Sequence, residues 1–156
     1  MSNTLHWEDF SPGWTHESAA RALTAEDIKR FALEYDPQRY HVDETAASAT
    51  PFGGLIASGW QTCAVAMRLM CDSYLLDSTC LGSPGIEDLR WTKPVRPGDA
   101  LRLRATVLEQ TPSRKEPGRG TVKFRWDVLN DRDQVVCTMV GRQHFRRRYP
   151  APSTTS

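Results

Sequence analysis

The stretch ASGWQTCAVAMRLMCDSYLL, residues 57–76, decides the fold. Trp60, Cys63, Ala64, Met67, Met70, Cys71 and Tyr74 recur in it at helical spacing with few polar residues between them, which is the pattern of an apolar helix. A helix of about 18 residues runs roughly 27 Å, and one this apolar is expected to be enclosed. The enclosing material follows in the chain. In DALRLRATVLE, residues 99–109, Leu101, Leu103, Ala105 and Val107 fall on one face and Arg102, Arg104 and Thr106 on the other, the alternation of a half-buried strand. TVKFRWDVL, residues 121–129, repeats it with Val122, Phe124, Trp126 and Val128. QVVCTMVGRQHFRRR, residues 134–148, is a third strand reached through the turn-rich NDRD.

IEDLRW, residues 86–91, is a shorter strand, ended by KPVRPGD, whose two prolines cannot sit inside a central strand. QTPSRKEPGRG, residues 110–120, reads as a polar hairpin loop. A long apolar helix followed by an antiparallel meander makes the chain α+β, with the sheet wrapped around the helix.

Upstream, LTAEDIKRFALEYDP, residues 23–37, carries a complete helix start: Thr24 as N-cap, Asp27 completing a shortened capping box, and Leu23 with Ile28 as a hydrophobic staple. Ile28, Phe31, Ala32 and Tyr35 form its apolar face. Pro37 biases Asp36 away from the α region and ends it. His41 then falls in a loop, and Asp43 caps a short helix through about Ser48 before Pro51, Gly53 and Gly54 break it.

With 156 residues the chain is one domain's worth. Twenty Lys and Arg against 19 Asp and Glu leave a formal charge of +1, so no sequence-wide field draws it to nucleic acid or to a membrane. Neither is expected as a partner. Cys63, Cys71, Cys80 and Cys137 form no C-x-x-C pair and no zinc spacing with histidine. They are expected reduced and partly buried, with no bound metal. The N-terminus carries no basic start followed by an apolar run, and no stretch approaches the roughly 20 apolar residues of a membrane span. A soluble, cytoplasmic protein is the expectation, with a disordered tail at residues 149–156.

Asp36 and His41 are the best acid-base candidates, since imidazole titrates near neutrality and a neighbouring carboxylate orients it or shares the proton work. From spacing alone, a cap and a surface histidine are the commoner reading of such a pair. Gly59 sits at a helix start, where backbone N–H groups have no partner in the helix, and offers an N–H to an oxygen gaining negative charge. On its own the favoured reading is a close-packing residue behind an N-cap, Ser58. No nucleophile elbow, Walker loop or dinucleotide fingerprint is present. The run Arg146, Arg147, Arg148 reads as a solvated end or, less simply, as a phosphate attractor.

Taken together, FALEYDPQRYHVDETAA (31–47), PFGGLIASGW (51–60) and LRWTKPVRPGDALRLRATV (89–107) resemble the MaoC-like dehydratases, the group that includes (R)-specific enoyl-CoA hydratases. The likeness runs from roughly Leu5 to Arg147. It implies one hotdog domain, residues 1–148: a long central helix wrapped by a curved antiparallel β-sheet, paired into a homodimer or a higher homo-oligomer. It implies an acyl-CoA or acyl-carrier thioester substrate and no cofactor beyond coenzyme A as part of that substrate. Asp36 and His41 would activate a water, and the Gly59 N–H would polarise the thioester carbonyl, in a reaction of the trans-2-enoyl-CoA to (R)-3-hydroxyacyl-CoA type. Gln38, Phe52, Ser58 and Trp60 would contact substrate. The chain departs from the family pattern at Gln38 and Arg39, where Asn and Pro are usual, and at Ser58, where His is usual. A hotdog acyl-CoA thioesterase and a non-catalytic acyl-CoA-binding protein or partner subunit of a two-chain dehydratase are the competing readings.

Overall fold

The computed structural model of the chain describes residues 3–152. Strands β1 (Thr15–Glu17) and β2 (Arg21–Ala22) come first, then helices α1 (Ala25–Tyr35), α2 (Arg39–Val42), α3 (Glu44–Ser48) and α4 (Gly59–Met70). Strands β3 (Ile86–Trp91), β4 (Ala100–Pro112), β5 (Arg119–Leu129) and β6 (Val135–Arg146) complete the chain. The sheet runs β1-β4-β5-β6-β3, with β2 also on β4 and every pairing antiparallel. This is the hotdog arrangement, a sheet curved around α4.

The alternation read from the sequence sets the packing. Leu101, Leu103, Ala105 and Val107 of β4 are buried, as are Val122, Phe124, Trp126 and Val128 of β5. They face α4 in one core with Phe10, Val65, Ala66, Leu69 and Phe145. The register fixes that shared face: Ala105 lies opposite Trp126, and Trp126 opposite Met139, so a slip of one residue would turn the core out to solvent.

The central helix differs from the expectation in two ways. It is α-helical only from Gly59 to Met70 and continues as a π-helical turn, Cys71–Leu75. The wider turn carries Tyr74 fully inside, where its hydroxyl accepts from Trp126 Nε1 (2.9 Å) and donates to Gln143 Oε1 (3.2 Å). The helix is also not enclosed. Its buried stripe is Gln61, Thr62, Val65, Ala66, Leu69 and Met70, whereas Trp60 and Met67 are 58% and 46% exposed. A helix apolar on nearly every side has no periodicity to say which face the sheet takes.

The N-cap of α1 is as read: Thr24 Oγ1 accepts from Asp27 N–H and Asp27 Oδ2 from Thr24 N–H, both at 3.0 Å. Leu23 and Ile28 are both buried. Two residues of the arginine run, Arg147 and Arg148, are engaged, while Arg146 is exposed to solvent. The Arg147 guanidinium lies 4.8 Å from the centroid of Trp7, Arg148 meets Asp9 Oδ2 at 2.8 Å, and the Arg148 and Tyr149 N–H groups donate to Glu8. Arg147 and Arg148 clasp the N-terminal 3-10 turn, Trp7–Asp9, next to the buried Phe10. Within the stretch read as a tail, Tyr149 is tied to Glu8 and Ala151 N–H to Pro117 O; residues 153–156 lie outside those described. Among the described residues no helix is long and apolar enough to cross a membrane, and the four cysteines are unpaired, three partly buried and Cys137 fully.

Candidate active site

Asp36 is the C-cap of α1, with its N–H on Ala32 O and an extended φ of −154°. Pro37 keeps the chain from continuing as helix. His41 does not lie on a loop as expected: two residues past Pro37 the chain enters α2, and one helical turn buries the imidazole to 4% exposure. The His41 Nδ1 is 2.7 Å from Ile56 O. A carbonyl oxygen only accepts, so Nδ1 carries a proton and Nε2 is the atom turned to Asp36, 3.2 Å from Oδ2.

Three further groups hold that carboxylate. Ser58 Oγ donates to Oδ2 at 2.7 Å and Gln38 Nε2 to Oδ1 at 2.7 Å; Tyr40 OH in turn donates to Gln38 Oε1 at 2.6 Å. Burial by itself pushes the Asp36 carboxyl up. The hydrogen bonds from Ser58 and Gln38 and the adjacent His41 outweigh it and hold the group below the usual carboxylate range. Two of the three departures from the family pattern thus converge on one side chain. The longer Gln38 arm reaches Asp36, and Ser58, expected among the substrate contacts, is fully buried and is not among the residues that line the cleft.

Ser58 is also the N-cap of α4, accepting from Trp60 N–H at 3.3 Å. Its carbonyl takes the N–H groups of Gln61 and Thr62. Among the described residues the Gly59 N–H has no acceptor. The glycine is forced by a close approach: a Cβ there would stand 2.4 Å from Trp91 Cε2.

A cleft of about 420 Å³ opens beside these groups, and Asp36, Gln38, His41, Phe52, Gly59 and Trp60 all line it. Its other walls, among them Tyr40, Ile56, Trp91, Lys93 and Pro94, were not foreseen. Only the Lys-Pro-Val turn next to Trp91 hinted at them, because a wall built from the end of an edge strand is a tertiary fact. A second cleft of about 430 Å³ lies between α1 and α4. It holds no imidazole; of its charged wall residues, Arg30 pairs with Asp27 and Arg68 with Asp72.

A partly buried carboxylate and a buried imidazole face one cleft beside a helix N-terminus with an unpartnered N–H, on a hotdog scaffold, an arrangement chemically able to move a proton and to donate to an oxygen. The sequence matches the MaoC like domain over residues 11–126, and the chain belongs to that family. It is 36% identical over 115 residues to the uncharacterized protein YdeM of Bacillus subtilis, covering 74% of this chain and 82% of YdeM. It is 30% identical over 116 residues to the 3-hydroxybutyryl-CoA dehydratase of Methylorubrum extorquens, covering 71% and 69%. Among solved structures, a MaoC-like dehydratase from Rhodospirillum rubrum superposes with a TM-score of 0.85 at 42% identity, over 93% of this chain and 99% of that one.

Proposed function

We propose that the protein is a hydro-lyase of acyl thioesters, interconverting trans-2-enoyl-CoA and (R)-3-hydroxyacyl-CoA. The observation that carries this reading is the 3.2 Å approach of His41 Nε2 to Asp36 Oδ2 inside a cleft that also contains Gly59. In the tautomer that carries its proton on Nδ1, His41 presents an Nε2 lone pair beside a carboxylate oxygen. Two acceptors this close are satisfied together by one water donating to both. Such a water is held with its lone pair free to attack the β-carbon. His41 takes its proton, and the same proton, or its equivalent, returns to the α-carbon. The Gly59 N–H, at the positive end of α4, donates to the thioester oxygen as it gains enolate charge. The reverse sequence eliminates water.

The kinship to a protein named 3-hydroxybutyryl-CoA dehydratase supports the thioester substrate. A homodimer belongs to the same reading: β3 is an edge strand, and Ile86, Trp91, Trp60 and Met67, on β3 and α4, are 46–58% exposed, apolar surface that pairing would cover.

The test is loss of the conjugated-thioester absorbance of a short and a medium-chain trans-2-enoyl-CoA, followed alongside free-thiol release. Hydration without thiol, abolished in Asp36→Asn and His41→Ala, is the expected result. Thiol release in step with the absorbance would make the protein a thioesterase. Tight binding without turnover would leave it a binding protein or a partner subunit.

A further inference from the structure

We infer that Trp91, on the edge strand, is the positioning residue for the oxyanion donor at Gly59. This rests on the reading of Gly59 given above and adds to it a residue that acts through it. The Trp91 indole reaches from β3 onto the first residue of α4. Its Nε1–H donates to the Gly59 carbonyl oxygen at 2.9 Å. Its ring lies so close to the Gly59 Cα that a Cβ would stand 2.4 Å from Cε2 and 2.7 Å from Nε1 and Cδ2.

Glycine is required at that distance, yet glycine is the residue whose backbone is least restrained. A donor contributes most to catalysis when it is already aimed, with no reorganisation left to do. The indole supplies the restraint that the missing side chain does not. Through the hydrogen bond it fixes the plane of the Gly59–Trp60 peptide, and through the ring face it limits rotation about Gly59, so the N–H of the preceding peptide is held in direction.

Trp91 is itself anchored. The register of β3 on β6 shifts between Glu87 and Arg90, where Asp88 takes a left-handed φ of 51°. After this bulge Trp91 pairs with Cys137, a buried residue of β6. Bulges re-aim the side chains that follow them, and here the side chain re-aimed is the one that meets α4. Trp60 packs edge-on against the indole at 5.2 Å between centroids, closing the other side.

The experiment compares Asp36→Asn with Asp36→Asn/Trp91→Phe, using bound trans-2,4-hexadienoyl-CoA. The Asp36→Asn change holds the thioester unreacted, and the red shift of its absorbance on binding reports polarisation of the carbonyl. Turnover is measured for Trp91→Phe alone. Loss of the indole N–H is expected to leave the dissociation constant within about threefold, to diminish the red shift, and to lower kcat about tenfold, short of the ~10²–10³ that deleting an oxyanion donor outright costs. An unchanged red shift overturns the inference. So does a rise in KM alone, which would make Trp91 only a wall of the cleft. If Asp36→Asn itself shows no red shift when saturated, the donor role of Gly59 fails and the inference falls with it. Should Trp91→Phe not fold, Asp36→Asn/Gly59→Ala is measured in the same way, because the added methyl displaces the indole while keeping the N–H. A diminished red shift with binding retained then supports the inference, and an undiminished one overturns it.

Discussion

Replacing Ser58 with alanine removes two contacts at once, and the larger is the one to Asp36. The Ser58 hydroxyl is fully buried and donates to Oδ2 at 2.7 Å. A hydrogen bond to a charged group contributes about 1.5–3 kcal/mol. Its second role, capping α4 through Trp60 N–H at a long 3.3 Å, belongs at the low end of the ~0.5–2 kcal/mol that N-caps contribute. At neutral pH Ser58→Ala is therefore expected to lower the unfolding free energy by roughly 2–3 kcal/mol, read from urea denaturation.

The pH dependence separates the two contacts. Because the folded Asp36 carboxyl is held low, its contribution to stability is fully present above the unfolded aspartate value of about 3.9. It is lost as pH falls through the lower folded value. The gap between wild type and variant should narrow over that acid window, leaving only the cap. The Asp36 carboxyl, followed by carbon NMR, should titrate higher in the variant. A gap that stays constant down to acid pH, with an unmoved Asp36 titration, would refute the view that Ser58 acts through this carboxylate.

Tyr74→Phe leaves Trp126 Nε1 and Gln143 Oε1 facing each other without the hydroxyl that joins them, and a loss of about 1–3 kcal/mol in thermal or chemical unfolding is expected. A neutral substitution would show that the buried network does not stabilise the fold. The Cys63 thiol is drawn down to about 7 by the hydrogen bond from Cys137, against burial and with help from Trp91, while Cys137 is pushed up. Labelling of Cys63 by iodoacetamide, located by mass spectrometry, should rise through about pH 7, with Cys137 unlabelled in the folded protein. Labelling that begins only well above pH 8 would contradict the pairing of the two thiols.

Much of the fold lay open in local patterns, because they obey local physics. The period-two alternation of Leu101 to Val107 and of Val122 to Val128 fixes which face of the sheet is core, and Thr24 with Asp27 fixes where α1 begins. The orientation of α4 did not lie open. With Trp60, Ala64 and Met67 as apolar as Val65, Ala66 and Leu69, only the surrounding sheet selects the second set. The site shows the same division. Pro37, their spacing and the helix start singled out Asp36, His41 and Gly59 as candidates, and only the resemblance to the family set them above a cap, a surface histidine and a close-packing glycine. The partners of Asp36 were not legible: Ser58 is 22 residues away in sequence and reads as a simple N-cap, while Gln38 and Tyr40 form a chain of hydrogen bonds that spacing does not announce. Trp91 was the least legible, since its role exists only where β3 crosses the start of α4.

The central claim is that Asp36 and His41 direct a water to the β-carbon of an enoyl thioester. Its most direct test is the reaction of a trans-2-enoyl-CoA in ¹⁸O-enriched water, with the product analysed by mass spectrometry. The account expects the label on the C3 hydroxyl of an intact 3-hydroxyacyl thioester, and none in Asp36→Asn or His41→Ala. Label in a free carboxylate, with C3 unlabelled, would contradict it.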